Sequence, residues 1–233
     1  MSLLRPIKIT DQIAESIREQ VLTCQFKPGD RLIEKTICEK LGVSRASLRE
    51  ALSRLAHENI IVQIPNKGYR VPELTVERFK MVCEARRIIE TQVAGLAAER
   101  ATPEDIEALR KAAEFKSTHD APELDAVDCI KANRKFHAAV AAAARNPMLE
   151  RVVLTALDQD NQPYFYGIDL HSCTSPEAIT EEHMEIVKAI EAGKAGSELA
   201  RNLMSKHLIE KEERIVREWK HLDLGNSNGS QPL

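Results

Sequence analysis

The stretch LGVSRASLREALSRL, residues 41–55, decides how the first third of the chain folds. Gly42 can adopt the left-handed conformation that ends a helix, and Ser44 is a side-chain acceptor suited to capping the next one. Leu48, Leu52 and Leu55 then recur at spacings of four and three, so a helix from Arg45 to about Glu58 buries one stripe. A helix, a tight Gly-Val-Ser turn and a second helix make a helix-turn-helix, in which the N-terminal end of the second helix faces outward and can enter a major groove. Ser44, Arg45, Ser47 and Arg49 lie at that end, with hydroxyl and guanidinium groups suited to phosphates and guanine edges.

Upstream, Thr10 is the expected cap of a helix over 11–22 whose Ile13, Ile17 and Val21 share a face. The run FKPGDRL, 26–32, reads as a turn, and a short helix over 34–41 follows. Downstream, IIVQIPNKGYRV, 60–71, is two β-prone runs around PNKG, a hairpin by composition. Its Lys67 and Arg70 are cations for a DNA backbone, and Gly68 lets the chain come close to a phosphate or the minor groove. Three short helices and a hairpin assemble as a winged helix-turn-helix, over residues 1–72.

After a linker at Pro72 and Glu73 the character changes to long helices, expected over 75–100, 103–117, 122–145, 147–161, 176–192 and 197–219. Thr102-Pro103, Asn146-Pro147 and Ser175-Pro176 each place a capping residue before a proline at the first helical position. Six helices with no strand pattern between them predict an all-α bundle over 73–222 and hence a mainly α chain. The tail 223–233, with GNSNGSQPL at its end, has the composition of a disordered segment. No repeat and no sustained heptad pattern is present, which excludes a solenoid or a long coiled coil.

The net charge of −3 conceals a division. Residues 1–72 hold 12 Lys/Arg against 8 Asp/Glu, whereas 73–233 hold 21 against 28, so a basic head of +4 precedes an acidic body of −7. The five cysteines (Cys24, Cys38, Cys83, Cys129, Cys173) are scattered and form no CxxC pair, which reads as reduced thiols. With no membrane-length apolar run and no signal-like start, a cytoplasmic protein is expected.

The body has polar residues where its core should be. In KANRKFHAAVAAAARNP, 131–147, the apolar face continues through Asn133 or Arg134 and through His137. His183 lies on the stripe Ile179, Ile186/Val187, Ile190, and His207 lies with Leu203 and Met204. Three inward histidines on three helices can converge on one divalent metal, for which neutral imidazoles suit zinc, nickel, cobalt or copper. The alternatives are hydrogen-bonded core histidines in a plain dimerisation module, or a metal-dependent enzyme; against the latter, no carboxylate stands in a clear base position, and Glu182 is expected to point away from the site. In EARRIIETQVAGLAAER, 84–100, Arg86 interrupts a stripe of Phe79, Val82, Ile89, Val93 and Leu96. It needs an anion, either Glu90 one turn on or a ligand.

The turn PGDRL, the run LGVSRASLREAL and the wing NKGYRV resemble the winged-helix domain of the GntR family of bacterial transcriptional regulators. The resemblance implies that Arg45 and Arg49 contact an operator, with Ser44 and Ser47 nearby, Gly68 at the wing tip and Lys35 close to a further contact. Ala46 stands where many members carry threonine, which removes one hydroxyl. In the body, EARRIIE, FHAAVAAAARNPML, EEHMEIVKAI and LMSKHL resemble the all-helical FCD domain of the FadR subfamily. This implies a divalent metal, zinc or nickel first, held by Asn133, His137, His183 and His207. It also implies a small organic acid effector that reaches Arg86, and a homodimer that binds a palindromic duplex, most members being repressors. Asn133 replaces the family's aspartate, so a neutral and weaker ligand stands there. The loop 192–198 is about two residues longer than is common, and Ser197 is its expected helix cap. Tyr164, Phe165 and Tyr166 are candidates to line the pocket. A metal-free FCD subgroup exists, but the three histidines argue against it.

Overall fold

The computed structural model describes residues 8–22, 25–73, 75–114, 126–160 and 176–226, in two compact units divided between Thr75 and Val76.

The first unit is the expected winged helix. Helices α1 (Ile9–Leu22), α2 (Glu34–Leu41) and α3 (Arg45–His57) are joined by strands β1 (Arg31–Leu32), β2 (Val62–Ile64) and β3 (Gly68–Arg70). Gly42 ends α2 in the left-handed region (φ 65°), and Ser44 caps α3 by accepting the Ser47 N–H at 3.1 Å. Leu48, Leu52 and Leu55 are fully buried against Ile13, Ile17 and Val21. At roughly 2 kcal/mol per buried leucine, that packing rather than helix propensity holds a 13-residue helix in place.

Two sequence expectations need correction here. Helix α1 starts at Ile9, with the Asp11 and Gln12 N–H groups on the Lys8 carbonyl, so Thr10 lies inside the helix instead of capping it. The turn expected over 26–32 ends in a strand: Leu32 pairs with Tyr69, giving an antiparallel sheet of order β1-β3-β2. A two-residue strand leaves no periodicity to read, and only the burial of Leu32 and Tyr69 reveals its face.

The second unit is all helical among the described residues: α4 (Val76–Arg100), α5 (Pro103–Ala113), α6 (Ala126–Ala143), α7 (Pro147–Asp160), α8 (Pro176–Glu191) and α9 (Ser197–Asn226). Thr102 and Asp105 form a capping box at α5, and Asn146 Oδ1 accepts from the Met148 and Leu149 N–H groups at α7. Helix α4 is central and packs on α6, α7, α8 and α9 around Val93, Ala97, Phe136, Val140, Leu157, Ile186 and Met204.

The stripe read for α4 is rotated. Its buried face runs Phe79, Cys83, Arg86, Glu90, Val93, whereas Val82 and Ile89 turn towards α7, where with Met81 and Val152 they line an open groove of about 480 Å³. Arg86 faces inward as expected, but Cys83 and Glu90 take the buried places expected of Val82 and Ile89, and Glu90 neutralises Arg86 there. The 192–198 loop is mostly a 3-10 turn, Gly193–Gly196, in which Gly196 passes so close to α8 that a Cβ would stand 2.0 Å from the Ala189 carbonyl. Ser197 is helical rather than a cap, and its hydroxyl donates to the Gly95 carbonyl at 3.1 Å, tying α9 to α4. Helix α9 runs to Asn226, past the expected end, so the first residues of the expected disordered tail are helical; within the expected span Ile215, Val216 and Trp219 pack on Phe79 and Cys83.

Candidate DNA-reading face and metal centre

The residues expected to read DNA lie on α2, on α3 and its cap, and at the start of β3 with the turn before it. Arg45, at the N-terminus of α3, and Lys35, Arg49, Lys67 and Gly68 are exposed. Ser44 and Ser47 are joined through their hydroxyls at 2.9 Å, which commits both first to capping α3. Gly68 has φ 82°, the left-handed value that lets the wing turn tightly. Arg31 of β1, unassigned by the sequence, donates from Nε to the Lys67 carbonyl at 3.0 Å and steadies the wing tip. Leu48 is core.

In the second unit, His137 of α6, His183 of α8 and His207 of α9 are buried and bring ring nitrogens within 4.8 Å of one another. Phe136 stacks on His183 with centroids 3.8 Å apart, and so fixes that ring. Burial disfavours the imidazolium at all three: His137 is lowered to about 4, His183 falls well below its ordinary value, and His207 is lowered even though Glu182 opposes the shift. The rings are therefore neutral near pH 7, the form in which imidazole binds a metal.

Carboxylates set the tautomers. His137 Nδ1 lies 2.6 Å from Glu90 Oε2, and His207 Nδ1 lies 2.6 Å from Glu182 Oε2. Each Nδ1 then carries the proton and donates, which leaves a lone pair on each Nε2. Those two Nε2 atoms face each other at 3.3 Å. Two lone pairs at that distance repel unless a cation lies between them, and about 3.4 Å is the edge of a tetrahedron with metal–nitrogen bonds of about 2.05 Å. Among the described residues neither ring nitrogen of the buried His183 has a hydrogen-bond partner, and a metal would engage one of them. These residues thus fit a divalent metal. Asn133 lies half-buried on α6, one turn before His137, and its side chain makes no hydrogen bond among the described residues.

Glu182 departs from its expectation. It was read as turned away, yet it reaches across from α8 to α9 and supports a ring, with Arg214 at 3.5 Å on its other oxygen. Adjacency to His183 hid this, because neighbouring helical residues point about 100° apart, and His207 is a neighbour only in space. Glu90, read only as a partner for Arg86, also holds His137.

Of the two anions open to Arg86, the protein's own is present. Arg86 Nε donates to Glu90 Oε1 at 2.6 Å, and Nη1 pairs with Asp160 at the end of α7. Lys211, one turn past His207 on α9, pairs with the same Asp160 oxygen. Arg86, Glu90 and Asp160 are almost completely buried, and Lys211 is nearly so. Burial alone would raise both acids; at Glu90 the charge of Arg86, with the hydrogen bonds from His137 and Arg86, outweighs it, and at Asp160 the charges of Arg86 and Lys211 do, so both stay ionised. Two cations and two carboxylates cancel, and an incoming carboxylate would have to share Arg86 with them. Asp160 and Lys211 were not singled out in the sequence, although an inward arginine signals that an acid must meet it. Tyr164, Phe165 and Tyr166 lie outside the described residues, as do His119 and His171.

Comparison with known proteins agrees with this architecture. Residues 9–71 match the gntR family of bacterial regulatory proteins, and residues 81–210, more than half of the chain, match the FCD domain. The HTH-type transcriptional regulator McbR of Escherichia coli (strain K12) is 30% identical over 146 residues, which is 63% of this chain and 66%, just under two thirds, of McbR. The HTH-type transcriptional regulator LutR of Bacillus subtilis (strain 168) is 29% identical over 208 residues, 81% of this chain and 93% of LutR. A solved structure of a GntR regulator from Rhodococcus sp. RHA1 superposes with a TM-score of 0.71 at 26% identity, covering 89% of this chain and 97% of that one. A winged head and a helical body that match these two profiles in this order place the chain in the GntR family of bacterial regulatory proteins, in the FadR-like arrangement with an FCD domain.

Proposed function

We propose that the protein is a homodimeric, cytoplasmic repressor of transcription that binds a palindromic operator through its head. Its body holds a divalent metal, zinc or nickel first, and a small organic acid that alters operator affinity. The observation that carries this reading is the pair of Nε2 lone pairs facing each other at 3.3 Å with a carboxylate behind each ring. The family is one of regulators and not of enzymes, so the triad is read as a sensor.

His137, His183 and His207 would hold the metal, with Asn133 as a fourth, neutral ligand. The metal would supply a Lewis-acidic position for a carboxylate, and Glu90 and Glu182 would orient the rings that hold it. Among the described residues the charges of Arg86 and Lys211 are balanced by Glu90 and Asp160, so a divalent ion on neutral imidazoles adds positive charge that an anionic effector would help to offset, beside Glu182. Arg86 lies one turn from Glu90 on α4, within the same buried cluster, and is the side chain proposed to meet it. In the head, Arg45 and Arg49 would read bases, while Lys35, Ser44, Ser47, Lys67 and Gly68 would contact the backbone.

A dimer is supported by the outer face of α4 and α7. Met81 and Ile88 are more than 60% exposed, as is Met148, and Val152 borders the same groove. Burying these side chains against a second copy removes apolar surface that water disfavours. The effector then acts by favouring one population of dimers over another with a different fit to the half-sites.

The test is enrichment of duplexes from a randomised pool, followed by affinity for the winning sequence against salt, zinc or nickel, and a panel of small mono- and dicarboxylates. The expected result is a palindrome bound more weakly as salt rises, with affinity changed by a carboxylate only when metal is present. Enrichment of no sequence, or indifference to every metal and acid, contradicts the reading.

A further inference from the structure

The head contains an ion pair that its fold does not need. Glu34, the first residue of α2, reaches across to α3, and its Oε2 accepts from Arg49 Nε at 2.8 Å. The Arg49 side chain is 66% exposed and that of Glu34 only 23%, so the acid is the fixed partner and the arginine the presented one. An ion pair this open contributes little to folding. Arg45, one turn earlier on the same helix, makes no ion pair among the described residues.

We propose that Glu34 is a positioning residue for base recognition: its carboxylate holds the Arg49 guanidinium by Nε and fixes the direction in which that group meets DNA. The inference rests on the proposed reading of the head. A guanidinium offers two edges for a bidentate bond, one made of Nε and an Nη, the other of the two Nη groups. Glu34 occupies Nε, which leaves the Nη1–Nη2 edge to point outward from α3. That edge matches the O6 and N7 acceptors of guanine.

Two consequences follow from the charge. Held in place, Arg49 loses less side-chain freedom when it docks, so the matched base is favoured. The carboxylate also offsets the arginine's attraction for phosphates, so binding to unrelated sequence is weakened. Glu34 thus raises discrimination at the expense of bulk affinity. Lys35, beside it in sequence, supplies a cation that Glu34 does not neutralise, and backbone contact is left to it and to Lys67.

The test enriches one randomised duplex pool with the full-length wild type, Glu34→Gln, Glu34→Ala, Arg49→Ala and the Glu34→Ala/Arg49→Ala pair. Thermal melting checks the fold of each, and binding to an unrelated duplex is titrated with salt. The position whose base preference disappears in Arg49→Ala identifies the base that Arg49 reads. At that position Glu34→Ala is expected to lose about tenfold in discrimination, while binding the unrelated duplex more tightly. Glu34→Gln, whose amide oxygen can still accept from Nε, is expected to keep the base preference and share only the tighter unspecific binding. The double variant should match Arg49→Ala. An unchanged preference in Glu34→Ala, a change at a different base, or a further change in the Arg49→Ala background overturns the positioning role. A wild type that enriches nothing overturns the reading of the head itself, and the inference with it.

Discussion

Replacing Asp160 with asparagine preserves shape and removes one charge from the most enclosed part of the body. Asp160 is fully buried, and one of its oxygens serves both Arg86 Nη1 and Lys211 Nζ. Without it, Glu90 is the one remaining carboxylate paired with Arg86 among the described residues, and Lys211 loses the acid it is paired with. Burial and Arg86 already lower the Lys211 pKa, and Asp160 is the main opposing influence, so the lysine is expected to give up its proton. Breaking a buried pair in this way costs about 3–5 kcal/mol, or roughly 6–20 °C in the melting of a unit this size. Adding Lys211→Met removes the buried amine that Asp160→Asn leaves without its carboxylate, so the double variant should recover at least about 1.5 kcal/mol, a coupling expected of groups in contact or in one network. Urea unfolding of the metal-free full-length protein, following the body's transition, measures both. A loss under about 1 kcal/mol for Asp160→Asn, or no recovery on adding Lys211→Met, would refute the closed four-charge network.

Further outcomes follow from the same geometry. His137 titrates at about 4 when folded and near 6.5 when unfolded, so below pH 6.5 the unfolded chain binds a proton that the folded chain does not. Stability of the metal-free protein is therefore full above about pH 6.5 and declines as the pH falls to about 4, by about 3 kcal/mol from this residue, with His183 and His207 acting in the same direction. Denaturation midpoints that stay level between pH 7.5 and 5 would contradict the buried neutral triad. Glu182→Ala removes the acceptor that fixes His207 and should weaken zinc or nickel binding about 10–100-fold by competition with a chelator; undiminished affinity would leave Glu182 without a role at the ring. Arg45→Ala should weaken binding to the enriched duplex by about 1–3 kcal/mol with an unchanged melting temperature, and equal affinity would remove α3 from the role of reading helix.

What the sequence disclosed follows from how far each signal reaches along the chain. The head was legible because its signals are local: Gly42, Ser44 and the leucines of α3 lie within 15 residues and specify one turn and one helix. The caps at Thr102 and Asn146 were legible for the same reason. Strand β1 was hidden because its partner lies 37 residues away and two residues carry no period. In the body the three histidines were found as breaks in apolar stripes, but a stripe does not say what stands behind a ring. Glu182 reaches His207 across 25 positions, and Asp160 meets Arg86 across 74; neither distance leaves a mark in the chain. The rotation of α4 has a single cause. Val82 and Ile89 make the better apolar stripe, yet they are only half-buried, towards α7, because Arg86 and Glu90 neutralise each other inside.

The body is proposed to be built around a metal. The most direct measurement is the metal content of untagged protein, purified without chelator or metal resin and analysed by plasma mass spectrometry beside His137→Ala. The account predicts close to one zinc, nickel or similar ion per chain in the wild type and none in the variant. A wild type that is empty and takes up no added metal would contradict it.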